Sequence, residues 1–313
     1  MLLSYIIPCY ASSGTLRAVV DEIDALMGSE PKLSAYQHEI ILINDCSPDS
    51  TEDVIRGLCR ERAHLTGICF TRNFGQHAAL MAGLNQATGD MIICLDDDGQ
   101  TPANEAAKLV QALLDGADAV YARYDRKHRF GIRRLGSYLN DLMMRIMLGK
   151  PKHLYLSSYF AVRSFIADEI KRYGGAYPYV IGLVLRSTKN IVNVDVVHRE
   201  RMSGTSGYTM KKLLALWFDG FTAFSVKPLR IATLIGAIIA FTGFIYAAYI
   251  VINRIFFYPD ALQMGIASIV AAVLVLGGLI ILMLGLVGEY IGRMYITLNN
   301  SPQYVIRETI PPS

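Results

Sequence analysis

The sequence predicts an α/β domain on a mostly parallel sheet, followed by an interfacial helix and two transmembrane helices. Three observations carry that reading. Short apolar, β-rich runs alternate with helical stretches through the first part of the chain. Charged residues are absent from Ile231 to Ile252, and again from Ala261 to Gly288. The hydrophobic excess, 52% of 313 residues, is concentrated in those two runs, while residues 1–205 carry the mixed charge of an ordinary globular domain.

Taken in order, the strand-like run Ser4–Pro8 comes first, and Leu16–Met27 follows with apolar residues at helical spacing. A second strand is expected over Glu39–Asn44. The next helix runs from near Ser50 to Arg62, where Asp49 or Ser50 can accept the free N–H groups of a first turn. Gly67–Thr71, Met91–Leu95 and Ala117–Ala122 read as the third, fourth and fifth strands, with helices over Gln76–Ala87 and Ala103–Leu114. Such alternation implies a parallel sheet covered by helices on both faces, with ligands bound at the carboxyl ends of the strands.

Each uncharged run exceeds the roughly 20 apolar residues that span a bilayer. Two buried core helices are the alternative, but core helices rarely stay uncharged for so long. Lys211, Lys212, Lys227 and Arg230 precede the first run, Arg293 and Arg307 follow the second, and the connection between them carries only Arg254. That bias places the globular domain and both termini in the cytoplasm and makes this a multi-pass protein of the plasma or inner membrane. Leu213, Trp217, Phe221 and Phe224 among flanking lysines suit a helix lying against lipid headgroups. The expected divisions are a globular domain over 1–207, a juxtamembrane amphipathic helix over 208–229, a transmembrane hairpin over 230–290 and a cytoplasmic tail over 291–313.

A net charge of +3 gives no global field for nucleic acid, and no nucleic-acid partner is expected. The five cysteines show no paired metal spacing and read as buried free thiols in a reducing compartment. The six histidines form no HExxH or other ligand pair.

The chemistry is carried by the segments that follow the strands. After the fourth strand comes Asp96-Asp97-Asp98-Gly99-Gln100-Thr101-Pro102. Adjacent carboxylates repel one another, and a hard divalent cation that also binds diphosphate answers that repulsion. A solvated acidic turn is the bland alternative, disfavoured by the placement at a strand's carboxyl end. After the second strand, Asp45 can accept from a nucleobase; after the first, Pro8-Cys9-Tyr10 closes a third side; Arg72-Asn73-Phe74-Gly75 can touch phosphate or ribose. Tyr121-Ala122-Arg123 ends the fifth strand, and Arg126, Arg129, Arg133 and Arg134 follow it, either as a solvated basic face or as guanidinium groups converging on an anion.

Pro8-Cys9-Tyr10, Asn44-Asp45-Cys46-Ser47-Pro48-Asp49-Ser50-Thr51, Arg72-Asn73-Phe74-Gly75 and Asp96-x-Asp98-x-Gln100-x-Pro102 together resemble the inverting GT-A glycosyltransferases of family 2, with their Rossmann-like fold. More narrowly they resemble the dolichol- and undecaprenyl-phosphate sugar transferases, over nearly the whole chain. The resemblance implies transfer of a sugar from a nucleotide-sugar, a UDP-hexose first among them, to polyprenyl phosphate at the cytoplasmic face, with Mg²⁺ or Mn²⁺. It implies that Asp45 holds the base, Asp96 the ribose or diphosphate, and Asp98 and Gln100 the metal, with Asp96 beside them. It implies that Arg123, Arg133 and Ser137 hold the acceptor phosphate. Arg201, in His198-Arg199-Glu200-Arg201-Met202-Ser203-Gly204-Thr205-Ser206-Gly207-Tyr208, would contact the donor diphosphate as the site closes. A homo-oligomer, a tetramer among the options, belongs to the same implication.

The sequence departs from the family at several points. Ala11-Ser12 replaces Asn-Glu, Gly207 stands where a lysine is frequent, and Ser158 occupies the place of an aspartate proposed as catalytic base. A phosphate monoester has a second pKa near 6 and is already ionised at neutral pH, so no general base is assigned. A processive polysaccharide synthase is disfavoured because there is no Gln-x-x-Arg-Trp segment and two spans are too few for a channel. A catalytically degenerate membrane scaffold finds support in Ala11-Ser12 and Ser158, and opposition in the intact Asp96-x-Asp98-x-Gln100.

Overall fold

The computed structural model describes residues 1–31, 33–124, 141, 144–145, 149–197, 199, 227–256, 266–299 and 301–313. Two compact units emerge, Met1–Thr209 with Asn300–Ser313, and Met210–Asn299.

The first unit is an eight-stranded sheet. In chain order its elements are β1 (Leu2–Cys9), α1 (Leu16–Ser29), β2 (Gln37–Asn44), α2 (Thr51–Glu61), β3 (Leu65–Phe70), α3 (Gln76–Gln86), β4 (Met91–Cys94), a 3₁₀ turn (Ala103–Glu105) running into α4 (Ala106–Leu114), β5 (Ala119–Tyr124), β6 (Phe160–Arg163), α5 (Ser164–Lys171), α6 (Val180–Ser187) and β7 (Ile191–Val196). The last strand, β8 (Ile306–Ile310), comes after the second unit in the chain. The strand order is β7-β5-β6-β4-β1-β2-β3-β8.

Strands β4, β1, β2 and β3 are mutually parallel, as expected. The sheet as a whole is mixed, because β6 runs antiparallel between β4 and β5, and β8 runs antiparallel along β3. Alternate residues of β1 serve two cores. Leu3, Tyr5, Ile7 and Cys9 pack with Leu16, Val20 and Ile23 of α1 and with α2 and α4, while Ile6 faces α3. Each such aliphatic side chain contributes about 1.5–3 kcal/mol on burial. Helix α3 lies close to the sheet because its contact face is small: a Cβ on Gly83 would sit 2.3 Å from Ile6 Cγ2.

The expected tail contains β8. Arg56 of α2 pairs with Glu308 and Arg307 pairs with Glu52, while Tyr304 stacks on Phe70 with ring centroids 5.3 Å apart. Gln303 Nε2 donates to the carbonyls of Tyr173 and Gly175 at 2.6 and 2.9 Å.

The second unit holds two long helices, α7 (Lys227–Phe256) and α8 (Ile266–Leu298). By length and composition α8 contains a span able to cross a membrane, Leu276–Ile296. The apolar stretch recognised in α7, Ala232–Gly243, is shorter. Two crossing helices were expected, and one meets the criterion among the described residues. The expected interfacial helix over 208–229 lies almost wholly outside them, with only Lys227–Leu229 described, as the first turn of α7.

Four of the five cysteines are buried thiols, as expected, but Cys46 is exposed. It sits past the end of β2 with φ 54°, where the chain turns out of the sheet into a loop.

Candidate active site

The acidic motif begins just past the carboxyl end of β4. Asp96 accepts from Gln76 Nε2 at 2.8 Å and from the Ser158 hydroxyl. Asp97 points elsewhere: its Oδ2 takes the backbone N–H of Tyr10 at 2.9 Å, and its carbonyl takes the Thr15 hydroxyl at 2.6 Å. The chain then turns through Gly99, whose φ of 71° a residue with a Cβ adopts only at a cost, and Asp98 Oδ1 accepts the Gln100 N–H at 3.0 Å. The three adjacent carboxylates are therefore sorted by the turn, one toward α3, one toward the loop after β1 and one onto its own backbone.

Asp45 follows β2 and is buried. Its two oxygens accept the N–H groups of Phe74 and Gly75 at 2.7 and 2.8 Å, which holds the loop between β3 and α3. A carboxylate oxygen has two acceptor positions, so this grip leaves capacity for a further donor. Gln76, next in sequence, reaches Asp96, and a continuous path runs from Asp45 through Gly75 and Gln76 to Asp96 and Ser158.

The loops after β1 and β2 are laced together. The backbone N–H groups of Ala11, Ser12 and Ser13 donate to Ser47 Oγ, Thr51 Oγ1 and Asp49 Oδ2 at 3.2, 2.9 and 3.1 Å. Ala11 takes φ 53° to do this. The pair Ala11-Ser12 thus keeps the loop in place through its backbone. Burial opposes ionisation of Asp49, but hydrogen bonds from Thr51 and Ser13 outweigh it and hold the carboxyl down at about 2.

Burial raises the Asp96 carboxyl, and the neighbouring Asp98 and Asp97 add to it, so that it reaches about 6 despite its hydrogen bonds. Burial also raises Asp45 and Asp97, against the N–H groups that each accepts. The hydrogen-bond donors to Asp96 are neutral, an amide and a hydroxyl. Asp96, whose donors are neutral, keeps its carboxylate oxygens available, and carboxylate oxygens are the ligands that a hard divalent cation takes.

Of the other expected residues, Pro8 lies within β1 opposite Ile43, and Tyr10 is exposed past its end. Arg72 is exposed, with its guanidinium 4.4 Å from the centre of the Phe74 ring. Arg123 lies near the end of β5, as expected, and makes a bidentate pair with Asp195 of β7 at 2.5 and 2.8 Å. Its neighbour Tyr124 is raised by burial first and then by the field of Asp96, with Asp98 also contributing, which brings the end of β5 into the electrostatic neighbourhood of the acidic motif. Arg133, Ser137 and Arg201 lie outside the described residues.

Sequence reasoning missed two contributors, Gln76 and Arg199, and singled out Ser158 without its partner. Gln76 and Ser158 contact Asp96 from separate elements, and nothing in local spacing reveals it. Arg199, two residues before Arg201, donates its N–H to the Gln100 carbonyl at 3.1 Å and ties the segment after β7 to the acidic motif.

A family model described as Glycosyl transferase family 2 matches residues 4–170, and one described as GtrB C-terminal hairpin matches residues 227–294. The undecaprenyl-phosphate 4-deoxy-4-formamido-L-arabinose transferase of Yersinia enterocolitica is 30% identical over 308 residues, 98% of this chain and 93% of the relative. That of Pectobacterium atrosepticum is 31% identical over the same shares. Among solved structures, glucosyl-3-phosphoglycerate synthase from Mycobacterium tuberculosis, in complex with Mn²⁺ and uridine-diphosphate-glucose, superposes with a TM-score of 0.53 at 18% identity. The match covers 70% of this chain and 76% of that one, and shows the fold.

Proposed function

The chain belongs to glycosyl transferase family 2 and is a glycosyltransferase, and from that premise we propose that it transfers a sugar from a nucleotide-sugar to polyprenyl phosphate at the cytoplasmic face of a bacterial membrane. The observation that carries the proposal is the joined set of carboxylates at one edge of the sheet. Asp45 is joined through Gly75 and Gln76 to Asp96, and two residues further on Asp98 accepts the Gln100 N–H at the turn through Gly99.

In this reading Asp45 accepts from the nucleobase, with Pro8, Tyr10 and Arg72 framing the nucleotide. Asp96, Asp98 and Gln100 would hold Mg²⁺ or Mn²⁺, which when bound neutralises charge on the departing nucleoside diphosphate. The relatives carry undecaprenyl phosphate in their names, and we take that lipid as the acceptor. Arg123, Arg133 and Ser137 position its phosphate, and Arg201 steadies the donor diphosphate. An acceptor oxygen attacks the anomeric carbon from the face opposite the diphosphate. The new C–O bond forms as the old one breaks, so an α-linked donor gives a β-linked lipid sugar. Ser158 donates to Asp96, and its hydroxyl is far too weak an acid to serve as a base at neutral pH. The acceptor phosphate is ionised without help.

A UDP-hexose is the first donor we propose. A UDP-linked 4-deoxy-4-formamido-L-arabinose is the second reading, favoured by the names of the relatives. We further propose that α7 and α8 both cross the membrane, and that the protein works as a homo-oligomer. The test is nucleotide release by the purified protein with polyprenyl phosphate, Mg²⁺ or Mn²⁺ and a panel of nucleotide-sugars containing both donors. Release with one donor that depends on the lipid is expected, with a β-linkage in the product by NMR. No release with any donor overturns the proposal.

A further inference from the structure

At the amino-terminal ends of β2 and β3 three side chains from separate elements converge. His38, near the start of β2, places Nε2 at 2.9 Å from Asp24 Oδ1 of α1. His64, the residue before β3, places its own Nε2 at 2.8 Å from the same oxygen. The imidazole centroids lie 4.4 Å apart, and all three ligand atoms fall within 4.8 Å of one another. This corrects the expectation that the histidines form no ligand pair. It is also remote from the acidic motif: β2 carries the chain from His38 to Asp45, seven residues at about 3.3 Å each, or roughly 23 Å.

We propose that Asp24, His38 and His64 form a structural site for a borderline transition metal of the Zn²⁺ class, separate from the oxygen-ligand site at the other edge of the sheet. Two imidazole nitrogens with one carboxylate oxygen are the donor set of Zn²⁺ rather than Mg²⁺. Both Nε2 atoms face the same carboxylate oxygen, so all three potential ligand atoms already share one small space. Tetrahedral Zn²⁺ sets its ligand atoms about 3.3 Å apart, so the cluster would open by roughly half an ångström on binding. The carboxylate is already oriented by a further partner, since Arg62 Nη1 holds Asp24 Oδ2 at 2.5 Å while its other nitrogen pairs with Asp21. The three side chains retain 18%, 32% and 27% exposure, for His38, His64 and Asp24 respectively, so an ion has a way in and a water can complete its shell. The bound ion would clip α1 to the starts of β2 and β3, and its binding energy would add to the stability of the domain.

The experiment uses the full chain in detergent, stripped of metal, held in excess Mg²⁺ and titrated with Co²⁺ and then Zn²⁺. One equivalent of Co²⁺ is expected to give a visible absorption band of low-symmetry nitrogen–oxygen coordination. Zn²⁺ should displace it and raise the melting temperature. His38→Gln and His64→Gln are each expected to weaken Zn²⁺ binding by at least about tenfold. Asp24→Asn replaces one acceptor oxygen with a donor and should lower the metal-free melting temperature somewhat as well as losing the Co²⁺ band, so the histidine variants carry the test. Absence of a Co²⁺ band in the unaltered protein, or a band unchanged in the His38→Gln/His64→Gln double variant, overturns the site and leaves a hydrogen-bonded His–Asp–His cluster.

Discussion

Two flanks of the sheet's carboxyl edge differ in how their charged side chains are held. On the flank of β1, β2 and β4, backbone N–H groups do the fixing: Phe74 and Gly75 onto Asp45, Tyr10 onto Asp97, Ser13 onto Asp49, Gln100 onto Asp98. On the flank of β5 and β7, Arg123 is held by Asp195, a contact between two exposed side chains. Backbone donors cannot change partner without moving a loop. A guanidinium on a flexible stem can, because an exposed ion pair contributes about 1 kcal/mol or less. The flank we assign to the donor is therefore preorganised, and the flank we assign to the lipid phosphate is adaptable. On that assignment the donor would meet carboxylates already fixed by backbone, and the acceptor phosphate a guanidinium able to exchange Asp195 for it.

The comparison is broken most directly at Asp98. Asp98→Ala is expected to lower the transfer rate by about a thousandfold or more, through loss of a metal ligand, with the fold retained by circular dichroism. Full activity of the purified variant would remove the metal assignment.

Asp45→Ala comes next. It strands the Phe74 and Gly75 N–H groups, each costing about 1–3 kcal/mol if left without a partner, so a lowered melting temperature and a raised donor KM should appear together. Asp45→Asn, which keeps one acceptor oxygen, should recover part of both. A rise in donor KM with unchanged melting temperature would show that the carboxylate does not brace the loop.

The third test is pH. The folded Asp96 value of about 6 lies above the ordinary 3.8, so the ionised form is the one the metal-free fold disfavours. Stability from this group is present below the unfolded value and is lost as pH rises through the folded one. A cation must displace that proton at low pH. Affinity for Mn²⁺, measured calorimetrically, should fall about tenfold per pH unit below 6 and level off above it. Affinity independent of pH between 5 and 7 would mean that Asp96 does not share the cation.

The smallest effect belongs to Asp195→Ala, which frees Arg123. The melting temperature should hardly change, and the acceptor KM should fall by at most about fivefold, the equivalent of 1 kcal/mol. Arg123→Ala should move the acceptor KM in the other direction. If neither variant alters acceptor kinetics, Arg123 is no part of the acceptor flank.

Much of this was legible in the sequence, for a physical reason. Strands buried on both faces read as unbroken apolar runs, and Ile40–Ile43 and Met91–Cys94 do so. The acidic motif is contiguous, so its placement after β4 followed directly. The strands that escaped notice lack that signal. β6 offers only three apolar residues before Arg163, β7 is an edge strand with Val192 exposed, and β8 carries Arg307 and Glu308 for pairing with α2. β5 begins two residues later than its apolar run and continues through Arg123 and Tyr124, which pair with Asp195 and Val196 of β7. Contacts between distant segments were invisible altogether. Ser158 reaches Asp96 across 62 positions, and Asp24, His38 and His64 meet only because three elements end at one edge.

The place of β8 in the chain sets the timing of assembly. Ribosomal synthesis delivers β8 only after α7 and α8, so the N-terminal domain must wait with one border of β3 unpaired while both long apolar helices emerge. An open border of that kind recruits other strands. Completion of the sheet therefore waits on synthesis of the whole second unit, and a nascent chain stalled before Ile306 would be exposed to misassembly even with its chemistry already encoded.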